Sequence, residues 1–177
     1  MPDNLPKVKK HLFLTGEKRV GKSTLLQELI RMKDMDCAGF ETRHIEMNSL
    51  RRAHILHGLI DMPPYENDCI CCVRINERMS VPVLPVFEQN GTVILQKSMD
   101  SSSPYLLMDE LGKLERDAEH FINQIMTCLN SDKRVLGVLQ MCHAPHIEAI
   151  KSRDDVTILQ VTEENRDNLL DMLIKAF

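Results

Sequence analysis

His11-Leu12-Phe13-Leu14-Thr15-Gly16-Glu17-Lys18-Arg19-Val20-Gly21-Lys22-Ser23 is the stretch that decides how the rest of this chain reads. Its first five residues are a short, mostly apolar run that stops at a glycine. After Gly21, Leu25, Leu26, Leu29 and Ile30 recur at the spacing of one helical face. A strand, a loop and a helix are therefore expected in that order. The loop satisfies G-x-x-x-x-G-K-[ST], the P-loop pattern, in the flanking context that gives the pattern its meaning. Main-chain N–H groups of such a loop and of the helix start converge on phosphate oxygens, and glycine permits the close approach. Lys22 supplies an ammonium for the β and γ phosphates, and Ser23 a hydroxyl for Mg²⁺. The expected nucleotide contacts are Gly16, Glu17, Lys18, Arg19, Val20, Gly21, Lys22, Ser23 and Thr24. Arg19 is less usual in this loop than glycine and adds charge at its mouth.

A P-loop also needs a carboxylate across the sheet to hold Mg²⁺. Tyr105-Leu106-Leu107-Met108-Asp109, preceded by Pro104, is an apolar run ending in such a group. It reads as a Walker B strand, with Asp109 as the metal residue. Glu110 follows at the carboxyl end of that strand, where ligands of open α/β sheets bind, and is the candidate general base or water-orienting group. Asp109 lies 86 positions beyond Ser23, a spacing that an insertion would explain.

Between about residues 37 and 88 the pattern is irregular, with Pro63, Pro64, Pro82 and Pro85. Runs at Ala38 to Ile45, His54 to Ile60 and Cys69 to Ile75 suit strands, so this region is expected to be a β-rich insertion. Asn90-Gly91 is compatible with a hairpin, or with a loop leading into a helix from about Thr92 to Met99. Beyond Asp109 the alternation is regular. A helical pattern over 117 to 129 precedes an apolar run at Val135 to Met141, another follows at Val156 to Val161, and Thr162 can cap a last helix. This β-α-β-α order predicts an α/β protein with a parallel sheet and right-handed crossovers.

A chain of 177 residues is expected to form one domain, 1–177. Its 22 basic and 26 acidic side chains, a net charge of −4, give no polyanion-binding surface, so nucleic acid is not an expected partner. No apolar run approaches the roughly 18 residues of a membrane span, and Leu12 to Leu14 is too short for a signal-peptide core. The expectation is a soluble, cytoplasmic protein whose six cysteines are reduced. Cys69-x-Cys71-Cys72 has no second pair to complete a zinc site.

Asp109-Glu110-Leu111-Gly112-Lys113-Leu114-Glu115 resembles the D-E-[IL]-G-[KR]-x-E signature of a small nucleoside-triphosphatase family typified by thermophile and cancer-related NTPases. Gly39-Phe40-Glu41-Thr42-Arg43 is similar to that family's G-F-x-T segment. Arg153-Asp154-Asp155-Val156 and Val161-Thr162-Glu163-Glu164-Asn165-Arg166 are similar to its closing arginine-bearing stretch and V-T-x-x-N-R. The resemblance spans nearly the whole chain. It implies a RecA-like, three-layer P-loop core with a mostly parallel sheet, and a helix before the Walker B strand. It also implies slow Mg²⁺-dependent hydrolysis of ATP, GTP and other NTPs to NDP and phosphate. The family's G-x-R-x-G-F hairpin is replaced here by Ser49-Leu50-Arg51-Arg52-Ala53-His54, which lacks both glycines.

The remaining site candidates carry paired expectations. Lys113 is placed to meet charge developing on the γ phosphate, or to form an ion pair with Glu115 or Asp117. Arg153 would be an arginine finger in cis or a solvent-exposed helix end. Asn165 and Arg166 would meet the base, or lie in water beside a capping Thr162. The catalytic set expected is thus Lys22, Glu110, Lys113 and Arg153. Two rival functions share these motifs: a nucleotide or small-molecule kinase, and a nucleotide-binding switch or adaptor whose slow hydrolysis times a partner interaction.

Overall fold

Leu12, Phe13 and Leu14 have no solvent exposure, the mark of a strand covered by helices on both faces. In the computed structural model, which describes residues 7–46, 52–76 and 79–177, this run is strand β1 (His11–Thr15). The other strands are β2 (Cys37–Glu46), β3 (Arg52–Gly58), β4 (Cys69–Arg74), β5 (Ser80–Pro82), β6 (Tyr105–Leu111), β7 (Arg134–Leu139) and β8 (Val156–Gln160). They form one eight-stranded sheet in the order β5-β4-β3-β2-β6-β7-β1-β8. From β2 to β8 every neighbouring pair is parallel.

Helices cover both faces and give three layers. Leu25, Leu26 and Leu29 of α1 (Lys22–Met32) pack with Leu169 and Leu173 of α5 (Arg166–Ala176) on one face. The larger cluster on the other face gathers Ile94 and Leu95 of α2 (Thr92–Asp100), Phe121 and Ile125 of α3 (Glu119–Asn130), and Ile147 and Ile150 of α4 (Pro145–Lys151). Pro145 stands in the first turn of α4, where its missing N–H costs nothing.

Two regions sharpen the sequence expectations. The β-rich stretch is part of the main sheet. Its first strand, β2, pairs in parallel with β6, while β3, β4 and β5 extend the edge antiparallel. Asn90-Gly91 makes no hairpin. Val86–Gly91 is π-helical and runs directly into α2. Phe87, Gly91, Ile94 and Leu95 recur at helical spacing and are buried, and a Cβ on Gly91 would meet the Phe121 ring at 2.8 Å. Packing against α3 thus overrides the local turn preference.

Parallel strands place all their carboxyl ends along one edge. The loops after β1, β6, β7 and β8 therefore meet there, where the chain reverses its lateral direction through the sheet. No helix among the described residues is long and apolar enough to cross a membrane.

Candidate nucleotide-binding site

The loop after β1 is shaped by close approach. Gly16 has φ 142°, and a Cβ there would lie 2.3 Å from the Val161 carbonyl oxygen, so a side chain at this position would push the loop off β8. Gly21, at φ 94°, turns the chain into α1. Between them Glu17, Lys18 and Arg19 are exposed while Val20 is buried as an anchor. Arg19 takes φ 64°, a left-handed conformation that costs a residue with a Cβ about 1–2 kcal/mol. Thr24 is exposed on the first turn of α1. The Lys22 ammonium folds back to donate to the carbonyls of Gly16 (3.0 Å) and Glu17 (2.5 Å). Burial lowers its pKa, and the nearby Glu110 and Asp109 carboxylates oppose that shift.

The two motifs meet in one hydrogen bond. Ser23 Oγ donates to Asp109 Oδ1 at 2.7 Å, joining the start of α1, which follows β1, to β6 across the intervening β7. Asp109 is 4% exposed. Burial pushes its pKa up to about 6; the Ser23 bond opposes that rise, and the charges of Glu110 and Glu41 add to it. Thr42, from the Gly39-Phe40-Glu41-Thr42 segment of β2, donates through Oγ1 to the Asp109 carbonyl at 2.9 Å. A hydroxyl and a buried carboxylate whose charge lacks compensation suit Mg²⁺, a hard cation held by one or two carboxylates plus phosphate oxygens and water. Among the described residues no group of three or more His, Cys, Asp or Glu side chains is arranged to hold a metal by itself.

Glu110 stands beside this pair in an unusual backbone state, φ 71°, where the register between β6 and β7 shifts between Met108 and Leu111. Such bulges re-aim side chains near active sites. The Glu110 carboxylate accepts a hydrogen bond from Gln140 Nε2 at 3.0 Å.

The four remaining candidates divide. Lys113 is exposed and makes no ion pair among the described residues. Its expected partners are engaged elsewhere: Asp117 with Arg116, and Glu115 in a buried pocket with His146 Nε2 (3.2 Å) and the Gly112 N–H. Arg166 reaches the P-loop, its Cδ lying 3.1 Å from the point a Cβ on Gly21 would occupy. Asn165 braces the turn after β8, accepting from Thr162 N–H (2.8 Å) and donating to the Gln160 carbonyl (2.8 Å), so its amide is committed within the loop. The capping expectation for Thr162 becomes a reciprocal turn, since Thr162 Oγ1 accepts from the Asn165 N–H at 3.2 Å.

Arg153 requires a correction. It precedes β8, whereas the P-loop follows β1, and these strands are parallel with His11 opposite Val156. Arg153 therefore sits at the amino edge of the sheet, about 15 Å of strand away from the loop. There its guanidinium binds both Asp155 oxygens at 2.8 Å, Asn130 Oδ1 at 2.9 Å and the Leu129 carbonyl at 3.0 Å. No finger reaches the site from this position. Arg52 pairs with Glu46 at 3.2 Å, and Arg51 lies outside the described residues.

Three contributors escaped the motif reading: Thr42, Gln140 and His146. Gln140 carried one usable signal, a polar residue closing an apolar strand at the carboxyl edge. Thr42 was visible only as part of a segment with no assigned role.

Comparison with known proteins bears on the same residues. The sequence profile of a family described as NTPase matches residues 11–174. This chain belongs to that NTPase family. Its relatives include the cancer-related nucleoside-triphosphatase of Homo sapiens, 28% identical over 91% of this chain and 93% of that one. Nucleoside-triphosphatase THEP1 of Thermotoga sp. strain RQ2 is 26% identical over 93% and 94%. Among solved structures, THEP1 from Aquifex aeolicus superposes with a TM-score of 0.72 at 18% identity, covering 91% of this chain and 95% of that one, and so shares the fold. The solution structure of the human cancer-related nucleoside triphosphatase gives 0.67 at 26% identity, covering 93% and 95%.

Proposed function

We propose that this NTPase-family chain is a Mg²⁺-dependent nucleoside-triphosphate phosphohydrolase, cleaving ATP, GTP and other NTPs to NDP and phosphate with little regard for the base. The observation that carries the reading is the 2.7 Å contact between Ser23 and Asp109, with Glu110 next in sequence and Lys22 on the same turn. Loop amides and the Lys22 ammonium hold the β and γ phosphates. Ser23 and Asp109 would hold Mg²⁺, which when bound offsets phosphate charge. Glu110 accepts a hydrogen bond from water and aims its oxygen at the γ phosphorus. The new P–O bond forms there as a proton of the water passes to the Glu110 carboxylate and the bond to the β–γ bridging oxygen breaks, and that electron pair leaves with the NDP. Lys113 is free to meet charge on the γ oxygens, and Arg166, lying over Gly21, is placed to contact the nucleotide.

Water as the acceptor is supported by the family, whose named relatives are nucleoside-triphosphatases. A relaxed base preference is supported by Asn165, whose amide is consumed in its own turn and offers no fixed hydrogen-bond code. All six thiols are unpaired, which suits the reducing cytosol.

The test is phosphate release from ATP, GTP, CTP and UTP with and without Mg²⁺, for the native chain, Lys22→Ala and Glu110→Gln. Native turnover should need Mg²⁺. Glu110→Gln should bind nucleotide but lose roughly 10²- to 10⁴-fold in kcat, the range for a removed general base. Native-like turnover in Glu110→Gln would reject the assigned base, and transfer to an organic acceptor in preference to water would make the protein a kinase.

A further inference from the structure

The sheet does not by itself decide where the Glu110 carboxylate points. Strand alternation normally does this, but the register shift after Met108 and the positive φ of Glu110 break the alternation at that residue. A flexible carboxylate also has a competing partner in Lys22, whose ammonium is close enough to feel its charge. Something else must hold it.

We propose that Gln140 is a positioning residue for Glu110, and that position 112 is glycine because the Gln140 amide occupies the space of its side chain. Three observations converge. First, Gln140 directly follows β7, and its own N–H donates to the Leu111 carbonyl at 2.8 Å, so its backbone is fixed to β6 just past the bulge. Second, its Nε2 donates to Glu110 Oε1 at 3.0 Å, and its Oε1 faces the Lys113 N–H at 3.5 Å; one amide thus touches the chain on both sides of Gly112. Third, a Cβ on Gly112 would fall 2.1 Å from Gln140 Oε1 and 2.3 Å from its Cδ. The three atoms nearest to that point all belong to this side chain.

An amide suits the task. It anchors one carboxylate oxygen without neutralising it, leaving the other oxygen to take a hydrogen bond from water. A cation in its place would pair with Glu110 and weaken it as an acceptor. The inference rests on the hydrolase reading, and names what sets the aim of its base.

Steady-state phosphate release, calorimetric nucleotide binding and thermal melting test it together in the full-length chain. Gln140→Leu keeps the volume but removes the donor. It should lower kcat roughly ten- to a hundred-fold, the loss of a hydrogen bond to a charged group, with nucleotide Kd within about two-fold of native. Gly112→Ala should have the same signature, because the new methyl displaces the Gln140 amide. In a Gln140→Ala background Gly112→Ala should add no further loss of kcat, since the obstructing amide is gone. Likewise, Gln140→Leu added to Glu110→Gln should cost nothing more. A merely structural Gln140 would instead lower the melting temperature and change kcat little. Native-like kcat in Gln140→Leu while Glu110→Gln is inactive overturns this inference alone. So does full multiplication of the Gly112→Ala and Gln140→Ala losses. Absence of hydrolysis by the native chain overturns both this inference and the hydrolase reading.

Discussion

The two edges of the sheet are built on opposite terms. At the amino edge two titratable side chains are tied down by protein partners. Arg153 is held by Asp155, Asn130 and the Leu129 carbonyl, and the buried His11 is bonded through both ring nitrogens to Leu129 and Val135. At the carboxyl edge two residues without turn-forming side chains, Arg19 and Glu110, sit at positive φ. Asp109 is buried with its pKa pushed up to about 6, and burial lowers that of Lys22. Strained backbone and unanswered charge persist where the surrounding fold enforces them and a ligand can relieve them. The difference teaches that one edge is finished as a protein, while the other leaves open the charges that the proposed polyphosphate and its metal would answer.

The largest effect that would break this contrast comes from exchanging a basic residue at each edge. Lys22→Ala should cut turnover by at least roughly 10²-fold, as for loss of a group aimed at developing charge, while melting near the native temperature. Arg153→Ala should do the reverse. Its kcat should stay within about two-fold, while stability falls by about 1–3 kcal/mol because hydrogen bonds to a charged group are lost. If Arg153→Ala melted normally but stopped hydrolysing, the amino edge would be functional and the comparison would fail.

A smaller effect of opposite sign sharpens it. The Asp109 carboxyl, folded, titrates near 6 rather than 3.8. Its charge therefore disfavours the fold, with the penalty growing above about pH 4 and complete above about pH 6. Asp109→Asn keeps an acceptor for Ser23 and removes that charge. At neutral pH the free variant should be more stable by about 1–3 kcal/mol, or a few degrees in Tm for a chain of this size, while its Mg²⁺-dependent turnover collapses. Equal or lower Tm in Asp109→Asn would mean that the site stores no such electrostatic cost.

The sequence made the carboxyl edge partly legible, and particular residues show why. The Gly16–Ser23 loop and the run from Tyr105 to Asp109 are local patterns whose chemistry depends on adjacent residues, so their meeting could be anticipated. Asp109 and Ser23 do touch. The regular alternation after residue 105 likewise yielded the parallel strands. Arg153 was misplaced because a motif comparison records order along the chain, not which edge of the sheet a residue occupies. The topology carries the answer: a residue before a parallel strand lies opposite a loop that follows one. Gln140 and His146 were hidden for another reason. Their partners, Glu110 and Glu115, lie 30 and 31 positions away, and only the packing of β7 and α4 beside the Walker B loop joins them. Asn90-Gly91 left a hairpin and a helix both open because Asn-Gly is a strong local turn signal, whereas the burial of Phe87 and Gly91 against Phe121, which favours the helix, is a long-range one.

The smallest effect lies at the quiet edge itself. His11 Nδ1 accepts the Val135 N–H at 3.0 Å, so the ring carries its proton on Nε2, which faces the Leu129 carbonyl at 3.0 Å and Asp155 Oδ2 at 3.5 Å. Burial lowers the pKa of this imidazole below 6.5; Asp155 and the Leu129 carbonyl oppose that shift, and Lys10 and Arg153 reinforce it. The folded value thus lies beneath the unfolded one, and the unfolded chain binds the proton first as pH falls. The contribution of neutral His11 is complete above about pH 6.5 and is lost as pH drops through the folded pKa. A second proton on Nδ1 would also turn the acceptor for Val135 into a donor facing a donor. His11 should therefore make the native Tm decline as pH falls below about 6.5, the ordinary histidine value. In His11→Gln, which cannot titrate, the decline should be shallower even though its Tm is lower throughout. Kinetic measurements supply the contrast: this substitution should leave kcat unchanged at neutral pH. An identical pH slope in both proteins would remove His11 as the source, and a fall in kcat would show that the amino edge is coupled to the other after all.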